Sequence, residues 1–223
     1  MPERRLDVLS VHWYELRTAP AVAPRWLSAA RAHLPEALPL RFGESEPLRG
    51  RFDRDGDAGF LAAAERATGL LAVMGEPPVH AASLAATPMI DRWGPVQSHT
   101  MSVEVDPADE RVRAFALALT VPETIYVSAS TDRDLLLDRR TLVHIEPGTR
   151  EPHLAALGDW LGLPPTPPQW CWFGPPYRRL GGLWTGGEWV PERYRARLDE
   201  VDPVRRHAPR IPRGLRRRWL FGK

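Results

Sequence analysis

The sequence predicts an α+β fold: a mixed or mostly antiparallel sheet with helices packed on one face, followed by an irregular Pro/Gly/Trp-rich C-terminal wrap. Alternating apolar segments, typical of half-buried strands, are interleaved with amphipathic helical segments, but without the regular βαβα order of a doubly wound fold. Hydrophobic residues make up 43% of the 223 residues, enough for a sizeable core. Residues 164–191 combine proline pairs, two Gly-Gly pairs and four tryptophans, which disfavours a regular helix or a central strand there.

The first part of the chain predicts a strand followed by a helix. Residues 6–14 partly alternate, as in a half-buried strand. One face of this strand consists of Val8, Ser10, His12 and Tyr14. Pro24 is tolerated in a first helical turn and predicts the start of an amphipathic helix of about three turns. The apolar residues that follow it at helical spacing are Trp26, Leu27, Ala30 and Leu34.

Residues 35–47 break this helix and predict a structured loop. Asp57 is a suitable capping residue for a second helix, and Gly69 is a natural stop for it. The apolar face of this helix consists of Phe60, Leu61, Ala64 and Ala67. Short strands are predicted at residues 79–84 and 89–93.

The middle of the chain predicts a strand–helix–strand unit. Residues 99–105 alternate, and Asp106 and Pro107 then supply a capping residue and a first-turn proline for a helix. The apolar face of that helix consists of Val112, Phe115, Ala116 and Leu119. A strand at residues 124–128 completes the unit, which predicts a split βαβ element, and residues 141–145 predict a further strand.

Amino-acid composition and hydrophobic pattern divide the chain into three parts. Residues 1–163 form the predicted α+β core and include a further predicted helix at residues 154–161. Residues 164–202 form the wrap, whose aromatic content argues against disorder and favours packing on the core. Residues 203–223 form a basic, arginine-rich tail.

Charge is segregated along the chain. Residues 203–223 contain eight basic residues and no acidic ones, whereas residues 1–202 contain 22 basic and 28 acidic residues and carry a formal charge of −6. Such a segregation of sign usually concerns a partner. The tail residues that offer charge and aromatic surface are Arg213, Arg216, Arg217, Arg218 and Trp219. They suit nucleic acid, an anionic membrane surface, or an acidic protein surface that includes this chain's own body.

Two further segments are candidate binding sites. The loop that contains Arg41, Glu44 and Glu46 offers two carboxylates and a guanidinium, although ion pairing or turn capping explains the same residues structurally. In the wrap, the aromatic residues beside prolines are Trp170, Trp172 and Tyr177. They offer an apolar platform for a peptide, sugar or base, or they anchor the wrap to the core.

The sequence contains no strong signal for catalysis, cofactor binding or metal binding. The Walker, dinucleotide, nucleophile-elbow and metalloprotease patterns are absent, and we expect no cofactor. His144 and Glu146 share a predicted strand face, but with His12 or His99 they are too few and too scattered for a metal site. The lone Cys171 stands between two tryptophans, and neither of them activates a thiolate.

These observations predict a non-enzymatic binding protein whose partner is another protein. A small α+β protein without a catalytic motif is also the general appearance of toxin-neutralising immunity proteins, an analogy at the level of fold class only. The first alternative is nucleic-acid binding through residues 203–223. The second is an enzyme that uses Glu44 and Glu46, or His99 and His144.

The expected location is the cytoplasm. A single Cys171 cannot form an intramolecular disulfide, which suits a reducing compartment. The N-terminus has no apolar block typical of a signal peptide, and the chain has no apolar run of 18 residues. Neither observation defines the oligomeric state.

The nucleic-acid alternative makes a prediction about salt. Because contacts with phosphate release counterions, tail-dependent binding to mixed RNA and DNA falls steeply as salt rises from 50 to about 200 mM. The measurement compares the full chain with residues 1–202 in a fluorescence-anisotropy series across this range. Equal binding by the two forms, or binding indifferent to salt, contradicts this alternative.

Overall fold

The computed structural model describes residues 4–85, 96–104, 109–138, 141–143, 169–175 and 187–189. The helices within these residues are α1 (Val22–His33), α2 (Phe52–Arg66) and α3 (Glu110–Ala118), with a short 3-10 helix at Pro35–Ala37. The strands in chain order are β1 (Arg4–Leu16), β2 (Arg41–Gly43), β3 (Gly50–Arg51), β4 (Leu70–Met74), β5 (Val79–Ala85), β6 (Val96–Val103), β7 (Thr124–Asp138), β8 (Thr141–Val143), β9 (Trp170–Phe173) and β10 (Gly187–Trp189).

These ten strands form one sheet in which every described pairing is antiparallel. The strand order is β10-β9-β7-β1-β6-β5-β4-β2-β3, and β8 pairs with β7. Because β1 lies between β6 and β7 and is antiparallel to both, β6, α3 and β7 form a split βαβ unit around the first strand. The predicted α+β class is therefore confirmed, and so is the split βαβ element.

The helices pack on one face of this sheet. On β1, Val11 and Trp13 face the helix layer and are fully buried. Trp26 of α1 and Phe115 of α3 contact Trp13 edge-on, with ring centroids 6.1 Å away in both pairs, and lie 4.8 Å from each other. Such edge-to-face contacts add to the free energy gained by burying the rings. This aromatic trio joins both helices to the central strand.

The polar atoms of the two buried indoles are satisfied. Trp13 Nε1 donates to the carbonyl of Ala116 over 3.0 Å, and Trp26 Nε1 donates to the carbonyl of Ala37 over 2.8 Å. An unpaired buried N–H costs stability, so these bonds fix both the rings and the backbone that accepts them. They hold α3 against β1, and α1 against the turn that follows it.

The second helix packs at the far end of the sheet. Phe60 of α2 lies 5.3 Å from Phe42 of β2, ring centroid to ring centroid. A Cβ atom at Gly50, opposite Phe42 on β3, would approach the Phe42 ring to 2.4 Å, so only glycine fits beside this ring. Within α2, Gly56 has a φ of 58° and interrupts the helical backbone immediately before Asp57.

Several predicted elements differ from the observed ones. The second helix begins five residues before Asp57, because the segment before Gly56 is also helical. The structure also contains β2, β3 and β4, which the sequence did not predict. Helix α3 is capped by Asp109, whose carboxylate accepts from the backbone N–H of Arg111 over 2.9 Å, whereas Asp106 lies outside the described residues.

Part of the predicted irregular wrap is regular. The stretch Trp170–Phe173 is free of proline, and it pairs with β7 as β9, while β10 pairs with β9. The predicted strand at residues 89–93, the predicted helix at residues 154–161 and the tail lie outside the described residues. In the described part of the chain, none of the helices is long and apolar enough to cross a membrane.

The aromatic trio yields a stability prediction. Substitution Phe115→Ala removes a fully buried ring that contacts two tryptophans and leaves a cavity, so we expect a loss of about 3–5 kcal/mol in the free energy of unfolding. Leu70→Ala serves as the control, because Leu70 is 47% exposed, and it should change this free energy by less than about 1 kcal/mol. Urea unfolding followed by tryptophan fluorescence measures both; equal losses contradict the prediction.

Candidate functional site

Glu15 is a fully buried carboxylate close to the end of β1. Residue 15 continues the face of β1 that carries Val11 and Trp13, so its side chain extends towards the helix layer. Buried carboxylates require partners, because an unpaired charge in the interior is very costly. The partners of Glu15 come from α1, β6 and β7.

Both carboxylate oxygens of Glu15 are engaged. Arg25 of α1 donates from Nη1 to Oε1 over 2.9 Å and from Nη2 to Oε2 over 2.7 Å, a bidentate ion pair. The hydroxyl of Thr124 lies 3.3 Å from Oε1, and His99 Nε2 lies 3.4 Å from Oε2. We call Glu15, Arg25, His99 and Thr124 the Glu15 cluster.

Arg25 also binds backbone at two places in the chain. It donates to the carbonyls of Pro20 and Ala21, over 2.9 and 3.4 Å, in the connection between β1 and α1. It donates as well to the carbonyl of Leu119, which follows α3. One guanidinium therefore ties the start of α1, the end of α3 and strand β1 together.

His99 uses both ring nitrogens. Its Nδ1 accepts from the backbone N–H of Ala85, the last residue of β5, over 3.0 Å. Because Nδ1 is an acceptor there, the neutral ring carries its proton on Nε2 and donates it to Glu15. The tautomer is thus assigned from the hydrogen bonds on both sides of the ring.

The electrostatics of the cluster disfavour proton transfer by Glu15. Burial by itself would raise the pKa of Glu15, but hydrogen bonds from His99 and Arg25 and the coulombic effects of the same two groups outweigh it and lower the pKa to about 2. A general acid or base needs a pKa near the working pH. Glu15 therefore remains ionised near neutral pH and acts as a structural tie.

The predicted loop site lies elsewhere on the molecule, at the β2–β3 hairpin. Arg41 and Glu46 are exposed, and Glu46 makes no hydrogen bond or ion pair with the part of the chain that is described. Glu44 Oε2 accepts from the backbone N–H and the hydroxyl of Thr68, over 2.9 and 3.2 Å. This contact joins the hairpin to the turn after α2, whereas the structural role that the sequence suggested for Glu44 was an ion pair with Arg41.

Among the described residues of the enzyme hypothesis, Glu44 and His99 are not brought together. Strands β4 and β5 separate β2, which precedes Glu44, from β6, which carries His99. At about 4.8 Å per strand spacing, β2 and β6 are about 14 Å apart. His144 lies outside the described residues.

Of the four aromatic candidate residues, two pack against the core and two lie outside the described residues. Trp170 and Trp172 of β9 are partly buried and pack against the main hydrophobic core. This packing matches the anchoring role that the sequence offered for them, and their role as a binding platform stays a prediction. The other predicted contact residues lie outside the described residues: Tyr177, Arg213, Arg216, Arg217, Arg218 and Trp219.

A surface groove lies between α1 and α2. It has a volume of about 420 Å³. Its lining residues are Pro24, Leu27, Ser28, Arg31, Ala32, Asp57 and Leu61. Five of these seven side chains are exposed, and Leu27 forms a buried floor. We call this feature the α1–α2 groove.

The rim of the α1–α2 groove carries an ion pair. Arg31 Nη2 lies 2.5 Å from Asp57 Oδ1, and each side chain is 48% exposed. Exposed pairs of this kind contribute about 1 kcal/mol or less. Both groups are therefore available to exchange partners at little cost.

Neither metal-ligand geometry nor similarity to known proteins indicates a function for the described residues. The described segments contain no group of three His, Cys, Asp or Glu side chains placed to hold a metal ion. Comparison of the chain with protein-family models, curated proteins and solved structures finds no match.

Sequence reasoning missed the Glu15 cluster and the groove. A signal for Glu15 was present, because an acid continues the apolar face of a strand after Val11 and Trp13. No local sequence pattern indicates that Glu15 pairs with Arg25, because the two residues meet only when α1 folds back onto β1. The groove depends on α2 packing beside α1, which periodicity cannot reveal.

The Glu15 cluster predicts a pH-dependent stability. Glu15→Gln leaves Arg25 without its buried counterion, so we expect a loss of about 3 kcal/mol in the free energy of unfolding at pH 7. Because the folded pKa lies below the ordinary one, the stabilisation is complete above pH 4.5 and is lost as the pH falls towards about 2. Urea unfolding at pH 7, 4 and 3 should show the difference between wild type and variant shrinking.

A matched control is Asp53→Asn. Asp53 pairs with Arg51 at the surface, where both side chains are more than half exposed. The same carboxylate-to-amide change there should cost less than about 1 kcal/mol at pH 7. A loss at Glu15 no larger than that at Asp53 contradicts a structural tie.

Proposed function

We propose that this chain is a non-enzymatic binding protein that holds a protein partner. The observation that carries the proposal is the α1–α2 groove, a concave surface with an apolar floor and a polar rim. Protein contact sites commonly combine a water-excluding apolar centre with polar groups around it. The acidic sign of residues 1–202 adds a preference for a basic partner surface.

The dimensions of the groove favour a side chain or short peptide segment as its occupant. A volume of about 420 Å³ lies within the range of small-molecule pockets, but such pockets enclose most of the ligand. Here five of the seven lining side chains are exposed, so a small molecule would remain largely in water. A larger partner can cover the rim and exclude that water.

The rim supplies groups that a partner can recognise. Arg31 and Asp57 present a cation and an anion on opposite helices, next to the apolar Leu61. A partner with complementary charges replaces their weak exposed pair with two contacts of its own. The hydroxyl of Ser28 adds a further hydrogen-bonding group.

The contacts of the two candidate carboxylates, Glu15 and Glu44, support binding over catalysis. Glu15 is ionised and saturated with hydrogen bonds, and Glu44 is tied to Thr68. Neither carboxylate is placed for acid–base work on a bound substrate. The cytoplasm remains the expected location, because the single Cys171 suits a reducing compartment.

Nucleic-acid binding is the second candidate, favoured by the charge segregation. Eight basic residues without an acid in residues 203–223 form a concentrated electrostatic footprint. The two candidates use different parts of the chain, so variants in the groove separate them. Groove variants leave the tail unchanged and should leave tail-dependent binding unchanged.

The test blocks the groove with a large side chain. Ser28→Trp places an indole on the exposed rim, whereas Ser45→Trp places the same indole in the exposed β2–β3 hairpin. Affinity capture from nuclease-treated extract of the source cell identifies proteins bound by the wild type, and titration of the purified partner measures affinity. We expect Ser28→Trp to weaken binding by about tenfold or more and Ser45→Trp to leave it unchanged.

Two outcomes contradict the groove as the contact site. One is equal affinity of wild type and Ser28→Trp for the captured protein. The other is loss of binding in Ser45→Trp alone, which would move the contact to the hairpin with Glu44 and Glu46. Proteins captured from untreated extract but absent after nuclease treatment favour the second candidate.

A further inference from the structure

We propose that His99 is a proton-sensitive latch that holds the end of β5 against β6 and releases it on acidification. The proposal rests on the hydrogen bonds around the imidazole and is independent of the proposed binding function.

The ladder between β5 and β6 stops before the two strands end. Towards the C-terminal end of β5, the last pairing joins Ser83 to Thr100, although β5 continues to Ala85 and β6 begins at Val96. Beyond that pairing, the N–H of Ala85 donates to Nδ1 of the His99 ring. A side chain has therefore replaced the backbone acceptor at the end of this pair of strands.

This acceptor exists in only one protonation state of the ring. Neutral imidazole offers one acceptor nitrogen, whereas imidazolium carries a proton on both nitrogens and accepts nothing. A proton on Nδ1 would face the N–H of Ala85 across the 3.0 Å that the hydrogen bond spans now. Two donors cannot share that distance, so the N–H of Ala85 must move away from the ring.

The surroundings allow the ring to take up a proton. Within the described part of the chain, the charged groups that face His99 are Glu15 from β1 and, behind it, Arg25 from α1. Strand β7 contributes the neutral hydroxyl of Thr124, and the contact from β5 is the backbone N–H of Ala85. Glu15 stays ionised far below neutral pH, since its pKa is about 2. An anion is therefore present throughout the range between pH 5 and 8, in which histidine ordinarily titrates.

Protonation affects the two hydrogen bonds of the His99 ring in opposite ways. Protonation strengthens the contact between Nε2 and the Glu15 carboxylate, because a neutral donor becomes a charged one. It abolishes the contact between Nδ1 and Ala85. The ring consequently keeps its contact with Glu15 of β1. The end of β5 is released from the ring, while the rest of the sheet remains paired.

The experiment measures amide exchange and ring protonation by NMR. In the full chain labelled with ¹⁵N, the ring-nitrogen shifts of His99 report its protonation state in spectra recorded from pH 7.5 to 5.0, and we expect the protection factor of the Ala85 amide to fall about tenfold where the ring is protonated. The protection factor of Ser102, whose pairing with Ala81 lies in the continuous part of the β5–β6 ladder, should stay constant. Correction for the intrinsic pH dependence of exchange is applied to both amides.

His99→Asn is the matched variant. Its side-chain oxygen can accept from the Ala85 N–H but cannot be protonated, so the protection factor of Ala85 should not change between pH 7.5 and 5.0. The wild-type measurement decides alone if this variant fails to fold. The proposal is overturned if the ring remains neutral at pH 5.0, if Ala85 keeps its protection beside a protonated ring, or if Ala85 and Ser102 lose protection together.

Discussion

The ion pair between Glu15 and Arg25 is the interaction on which the arrangement of the layers depends. It joins the central strand to α1 and, through the carbonyl of Leu119, to the end of α3. The aromatic trio of Trp13, Trp26 and Phe115 fills the space between the same elements. Apolar packing supplies the larger stabilisation, whereas the ion pair tolerates only one relative placement of strand and helices, because a buried charge must meet its counterion.

The central position of β1 explains why one cluster reaches so many elements. The strand lies between β6 and β7, so Glu15 meets His99 on one side and Thr124 on the other. From there the cluster extends through His99 to the end of β5. In the proposed latch, a change of protonation at this imidazole is transmitted to the end of β5.

The molecule keeps its buried polar groups and its candidate contact surface apart. The Glu15 cluster is enclosed and satisfied, whereas the α1–α2 groove lies on the outer side of the same helix that carries Arg25. Helix α1 therefore serves both: its inner side is held by the ion pair and by Trp26, and its outer side offers Ser28 and Arg31. A rigid helix is a suitable platform for contacts, because little conformational entropy is lost when a partner binds.

The sequence by itself determined the α+β class, the first strand, α1, α3 and the split βαβ unit, because alternation and helical spacing are local properties that these long segments express clearly. It did not determine β2, β3 or β4, since strands of two to five residues carry too little periodicity. Only the tertiary structure decided that Glu15 pairs with Arg25 and His99, that Glu44 is tied to Thr68, and that α1 and α2 enclose a groove. These contacts join residues that are 10 to 84 positions apart, and spacing along a chain contains no information about which distant side chains meet.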